Sequence, residues 1–295
     1  MTDFEDCFWE SRDGLRLHYR DYPGNAARPP VLCLPGLTRN ARDFADLAAR
    51  LAGDWRVICA DMRGRGDSAY AKDSASYNPL QYVEDVEALL EQAGIARFVV
   101  IGTSLGGLMA MLLAARLPGR VAGALLNDIG PEVEPDGLAR IREYVGQGRS
   151  YPTWMHAARA LEELQGPGFP AFGVEDWLAV AKRVMTLGQN GRIVFDYDMK
   201  IAEPFNAAPA PEVDLWPAFA ALAASPLAVV RGGKSDLLSA QTLARMGAAA
   251  PSAELVTVAG VGHAPTLSEP AAAGAIDRLL ARVEGGGVGL GVASA

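Results

Sequence analysis

Residues 97–117 read RFVVIGTSLGGLMAMLLAARL. The apolar run Phe98–Ile101 suits a strand, and LMAMLLAARL (108–117) suits a buried helix. Between them stands Gly102-Thr103-Ser104-Leu105-Gly106, a Gly-x-Ser-x-Gly turn in the strand–turn–helix setting that a nucleophile elbow requires. So sharp a turn forces the serine into a strained backbone conformation. Gly102 and Gly106 carry no Cβ to clash where strand and helix pass. The Ser104 hydroxyl is then expected to project above the carboxyl edge of a sheet as a nucleophile. The plainer reading is a structural serine in a tight turn.

Working outward, short apolar strands are expected near residues 31–34, 56–60, 97–102, 121–127, 226–231 and 254–258, separated by helical segments. This is the rhythm of a parallel sheet with helices on both faces, an α/β fold. Ahead of it, Asp13-Gly14 followed by the alternation Leu15, Leu17, Tyr19 predicts an antiparallel hairpin over residues 8–20. In NARDFADLAARLAG, Asn40 is the expected cap and Phe44, Leu47, Ala48 and Leu51 the apolar stripe, with Gly53 as the stop. In NPLQYVEDVEALLEQAG, Asn78 caps, Pro79 takes the first helical position and Gly94 ends the helix.

The strand–helix alternation lapses between Pro131 and Pro211. The division expected is therefore a core of residues 1–130 and 212–283, an inserted helical cap over 131–211, and a glycine-rich mobile tail over 284–295. The inserted stretch carries Tyr151, Trp154, Phe169, Phe172, Trp177 and Phe195, enough aromatic surface to pack against the main domain.

Composition narrows the function. Half of the 295 residues are hydrophobic, so the chain can bury a full core without staples. A net charge of -8 argues against nucleic acid and against anionic membrane surfaces as partners. No apolar run approaches the ~18 residues needed to span a bilayer. Cys33 and Cys59 sit in apolar strands and Cys7 stands alone, which suits a reducing cytoplasm. The acidic opening MTDFEDCFWE does not read as a signal peptide. No cofactor is expected: no Cys/His/Asp/Glu spacing suggests a metal, and the glycine-rich loop after residue 61 opens no helix with a Lys-Ser/Thr pair for phosphate.

A serine hydroxyl needs a base, and the base needs a group to orient it. Of the three histidines, His18 in the hairpin and His156 in the inserted stretch read as surface or packing residues. His263 lies in VAGVGHAPTLSEP, past the last strand and at the sheet edge where Ser104 emerges. For the carboxylate, PLAVVRG runs into GKSDLL and places Asp236 at the same edge; the rival is Asp128 in LLNDIGP, which can instead hold a loop by side-chain hydrogen bonds.

The order Ser104, Asp236, His263 resembles that of the α/β-hydrolase superfamily, specifically its cap-bearing serine hydrolases. ICADMRGRGDS is similar to that family's Asp-x-Arg-Gly-x-Gly-x-Ser loop at Asp61, Arg63, Gly64, Gly66 and Ser68, a structural element. The resemblance implies an oxyanion hole from the backbone N–H of Leu105 and of Leu37, the latter in PGLTRN, where Pro35-Gly36 replaces the family's commoner His-Gly pair. It also implies a serine hydrolase acting on a small-molecule substrate, a small to medium apolar ester or lactone. Carbon–carbon bond hydrolases, thioesterases and cofactor-free haloperoxidases share such a triad, and a ligand receptor on the same scaffold is the reading from another class.

Overall fold

The computed structural model describes residues 3–207 and 213–287. Its spine is an eight-stranded sheet. Strands β1 (Glu5–Glu10) and β2 (Arg16–Tyr22) form the antiparallel hairpin, with Trp9 opposite Leu17. Then β3 (Val31–Leu34), β4 (Val57–Asp61), β5 (Phe98–Thr103), β6 (Val121–Asn127), β10 (Leu227–Gly232) and β11 (Glu254–Val258) run parallel, in the spatial order β1-β2-β4-β3-β5-β6-β10-β11. The six expected parallel strands agree with these to within a residue at each end, while the hairpin, expected over 8–20, runs from Glu5 to Tyr22.

Both faces of the parallel strands are covered, which is why they read as unbroken apolar runs. Leu32, Leu34, Val100, Leu126 and Val229 face one core, completed by α2 (Pro79–Gln92), α3 (Leu105–Arg116) and α8 (Trp216–Ala223). Val31, Cys33, Val57, Cys59, Val99 and Ile101 face the other, against α1 (Ala45–Leu51) and α10 (Pro270–Gly287). The period-two alternation along β3 assigns its four residues to opposite cores. Cys33 and Cys59 are buried free thiols.

The caps follow the sequence. Asn40 accepts from the Arg42 N–H at the head of a 3-10 turn that leads into α1, and Asn78 accepts from the Gln81 N–H ahead of Pro79. Gly94 closes α2 at φ +65°.

Between β6 and β10 the chain leaves the sheet. It forms α4 (Pro135–Tyr144), α5 (Trp154–Gln165), α6 (Val174–Val184) and α7 (Ala202–Asn206), together with β7 (Ser150–Tyr151), β8 (Met185–Leu187) and β9 (Ile193–Phe195). The three short strands make an antiparallel sheet in the order β7-β9-β8. An all-helical insertion was expected; strands of two or three residues carry too short an alternation to stand out in the sequence. This segment has its own core of Trp177, Phe169, Leu161, Ala157, Val180 and Ile193, with Phe172 edge-on to Trp177 at 5.3 Å between ring centroids.

α9 (Ala240–Ala249) lies between β10 and β11. The expected tail begins at Glu284, but α10 continues through Gly287; residues 288–295 lie outside the described residues. No described helix is long and apolar enough to cross a membrane.

Candidate active site

The strand–turn–helix stretch places Ser104 at φ +52°, a region that a non-glycine residue enters only at a cost of about 1–3 kcal/mol. Neighbours hold it there. Its N–H donates to the Asn127 carbonyl at 3.0 Å, and its own carbonyl accepts from the Gly107 and Leu108 amides. The flanking glycines are required by space: a Cβ on Gly102 would meet the Gly106 carbonyl oxygen at 2.3 Å, and one on Gly106 would meet the Leu34 oxygen at 2.0 Å.

His263 arrives on the loop after β11. That loop is tied down from both sides, by the Lys234 N–H to the Val261 carbonyl and by the Gly262 N–H to the carbonyl of Gly168, in the inserted segment. Its Nε2 lies 3.0 Å from Ser104 Oγ, and its Nδ1 lies 2.7 Å from Oδ2 of Asp128.

The expectation that Asp236 orients this imidazole is corrected by the structure. Asp128 stands there instead, fully buried, with its Oδ1 accepting from the Gly232 N–H at 2.7 Å. Asp236 is gripped through both oxygens by the Arg140 guanidinium of α4, which holds its carboxyl below the usual range. The reason lies in sheet order. β6 adjoins β5, the strand that leads into Ser104, so Asp128, the first residue past β6, sits one strand from Ser104, whereas Asp236 lies four residues past β10. Asp128 adopts φ +57°, with its N–H donating to the Val230 carbonyl at 2.7 Å. The preceding Asn127 donates to Thr103 Oγ1 at 3.1 Å and to the Pro265 carbonyl at 2.8 Å. It thereby ties the His263 loop to β5. Nothing in the sequence marks that role except adjacency to Asp128.

Gly36 stands against the serine, where a Cβ would lie 3.7 Å from Ser104 Cβ. No acceptor among the described residues takes the N–H of the following Leu37, nor that of Leu105 at the first turn of α3. The Leu37 carbonyl is held from behind by Arg65, which donates to it from Nε at 2.9 Å and Nη2 at 2.7 Å. Arg65 is buried completely and also donates from Nη1 to the Arg63 carbonyl at 2.6 Å. Sequence reasoning named its neighbours in the Asp61–Ser68 loop but not Arg65 itself. Their structural role is plain: Arg63 is shared by Asp85 and Asp13, and the Ser68 hydroxyl donates to the Asp61 carbonyl at 2.6 Å.

Over these groups lies a cavity of about 140 Å³. Ser104, His263 and Leu37 form its floor, and Phe169, Phe172 and Trp177 part of its wall. Polar side chains that the sequence did not single out also line it, Arg39 and Tyr144 among them. Arg39 is bound by Asp43; burial opposes its charge, but the carboxylate prevails and holds the guanidinium pKa above the usual value. Tyr144 has its phenol pKa pushed up by burial.

The other histidines stand apart. His156 is exposed on α5, against Thr153 Oγ1 at 2.9 Å. His18 is buried, a packing residue in an acidic nest, with Nδ1 2.7 Å from Asp61 Oδ2 and Nε2 2.9 Å from Asp6 Oδ1. His18, Asp61 and Asp67 are the described residues close enough to share a metal ion. Asp61 accepts from the Ala41 and Asp67 amides and lies against His18 Nδ1, contacts that hold the loop.

A sequence model described as the alpha/beta hydrolase family matches residues 31–275. The 3-hydroxybutyrate-oligomer hydrolase of Cupriavidus necator is 38% identical over 267 residues, covering 87% of this chain and 89% of that protein. An esterase of Mycobacterium tuberculosis is 29% identical over 233 residues, 74% of this chain and 70% of its own. Among solved structures, an alpha/beta hydrolase from Novosphingobium aromaticivorans superposes with a TM-score of 0.92 at 64% identity, over 96% of this chain and 99% of that one.

Proposed function

The chain belongs to the alpha/beta hydrolase family, and from that premise we propose that it is a serine carboxylesterase working through an acyl-enzyme. The observation that carries this reading is the unbroken line from Ser104 Oγ through His263 to Asp128. His263 Nε2 takes the serine proton as Oγ adds to the ester carbonyl carbon. The negative charge passes to the carbonyl oxygen, where the Leu37 and Leu105 amides receive it; a single such donor is worth roughly 3–4 kcal/mol. The tetrahedral centre collapses, the ester C–O bond breaks, and the imidazolium gives its proton to the leaving alkoxide. Water then enters by the same path, with His263 as base, and releases the acid and free Ser104. Asp128 holds the tautomer with the proton on Nδ1 and stabilises the imidazolium. Arg65 and Asn127 are positioning residues: one fixes the oxyanion loop, the other the histidine loop.

In this reading residues 131–207 of the inserted segment roof the site, and their aromatic wall takes the acyl chain; residues 208–211 of the expected cap lie outside the described residues. A cavity of about 150 Å³ holds a benzene-sized group, so the space here suits an acyl part of about four to eight carbons. The name of the Cupriavidus relative directs attention to esters of short hydroxy acids, which fit those limits. The free thiols Cys33 and Cys59 support a working place in the cytoplasm.

A series of nitrophenyl esters tests the proposal. Steady multiple turnover is expected, with kcat/KM rising from acetate to an optimum near C4 to C8 as each buried CH₂ adds about 0.8 kcal/mol, then falling. A single stoichiometric release would indicate a receptor, and a rate still rising at C16 an open lipid-binding surface.

A further inference from the structure

Arg39 is a cationic side chain in the cavity lining, and its neighbours do not use all of it. Nε and Nη2 donate to the two oxygens of Asp43 at 2.5 and 2.6 Å. Among the described residues nothing accepts from Nη1, nor from the second hydrogen of Nη2. A second arginine in the lining, Arg183, reaches instead to Asp46, whose side chain is 70% exposed at the surface.

The same chain shows what such an open edge can hold. Arg63 gives Nε and Nη2 to Asp85, as Arg39 does to Asp43, and then gives Nη1 and Nη2 to a second carboxylate, Asp13, at 2.9 Å each. A planar guanidinium has five N–H donors in a fixed fork, and two carboxylates can share it. On Arg39 the second place is unfilled by the described protein groups, and the residue lines the cavity. The stem of Arg39 and Ser104 both border Gly36, where an added Cβ would lie 3.3 Å from Arg39 Cγ and 3.7 Å from Ser104 Cβ.

We propose that the Nη1–Nη2 edge of Arg39 is a carboxylate-binding subsite, and that the preferred esters are acyloxy acids with a free carboxylate about four bonds from the scissile carbonyl. The placement of the scissile bond rests on the serine-esterase reading above; the subsite itself does not. In a 3-acyloxybutanoate the carbonyl carbon and the carboxylate carbon are separated by four bonds, about 5 Å when extended. Charge-assisted bidentate bonding in a partly desolvated cavity then separates the acid from its neutral amide. Asp43 plays two parts. It orients Arg39, and it competes with the ligand for the same cation.

The two parts give the test an unusual sign. Binding of 3-(butanoyloxy)butanoic acid and of its primary amide is measured by calorimetry on the Ser104→Ala protein, where turnover plays no role. The acid should bind about 10- to 100-fold more tightly than the amide. Arg39→Gln should bring that ratio close to one. So should Arg39→Gln with Asp43→Asn, which leaves no unpaired buried carboxylate and keeps the test valid if the single variant is unstable. Asp43→Asn alone should raise the ratio several-fold, an effect that a purely structural ion pair would not produce. Equal affinity for acid and amide, a preference that survives loss of Arg39, or a fall in the ratio on Asp43→Asn would overturn the subsite. Turnover of the same two esters by the unaltered protein reports separately on the esterase reading. Acid-selective binding without hydrolysis would remove that reading and leave the subsite standing, whereas hydrolysis without selectivity would do the reverse.

Discussion

Replacing Asp128 by asparagine changes one oxygen to an amide nitrogen at a buried position, and the two contacts of that carboxylate respond differently. The Oδ1 that accepts from the Gly232 N–H at 2.7 Å can remain an oxygen, so the local fold should hold. The other atom, 2.7 Å from His263 Nδ1, becomes an N–H₂ donor facing a nitrogen that must itself donate. The imidazole then prefers the tautomer with its proton on Nε2, the atom 3.0 Å from Ser104 Oγ, and can no longer accept the serine proton. Losses of about 10⁴-fold in kcat accompany a wrong tautomer of this kind, equivalent to about 5.4 kcal/mol of transition-state stabilisation. Asp236→Asn is the matched control. It breaks an ion pair with Arg140 whose side chains are 33% and 35% exposed, worth about 0–1 kcal/mol of stability, and should change kcat by less than about threefold. The assay is steady-state hydrolysis of nitrophenyl butyrate by both variants, with circular dichroism to confirm folding. A larger loss from Asp236→Asn than from Asp128→Asn would refute the assignment of the acid.

Two further outcomes rest on geometry away from the reacting atoms. Gly106→Ala places a methyl 2.0 Å from the Leu34 carbonyl oxygen, a backbone atom that no side-chain rotation can relieve. It should cost about 3 kcal/mol or more and lower Tm by several degrees in a thermal melt, and an unchanged Tm would show that the elbow is looser than described. For His18, burial works against the charge, but the Asp61 hydrogen bond and charge, helped by Asp6, raise its pKa above the usual 6.5. The stabilisation is therefore full below the unfolded-state pKa and is lost as pH rises through the higher folded value. The stability gap to His18→Gln, from urea midpoints, should shrink as pH rises above about 6.5. A gap that is constant or widens with pH would contradict the charged nest.

The parts of this molecule legible in sequence are those fixed by neighbours along the chain. The Phe98–Leu117 stretch declares strand, elbow and helix because glycines are needed at two close approaches, and Asn40 and Asn78 declare helix starts because capping acts over two or three residues. His263 could be placed because a loop past a parallel strand ends at one sheet edge. The sequence points to Asp236 where Asp128 meets His263, because both aspartates satisfy that same local rule and only the lateral order of β5, β6 and β10 separates them. Arg39, Arg65 and Asn127 gave no signal, since each acts across more than twenty residues or into a cavity that exists only once the inserted segment has packed. The small antiparallel sheet of that segment was missed for want of length.

The central claim, an acyl-enzyme on Ser104, can be examined by rapid acid quench of the protein during turnover of nitrophenyl butyrate, followed by mass spectrometry of its peptides. The account predicts one butyryl group, carried by the peptide containing Ser104 and accumulating with the burst of nitrophenol. It also predicts no such adduct in Ser104→Ala. A butyryl group on another residue, or a nitrophenol burst with no covalent adduct on Ser104, would contradict it.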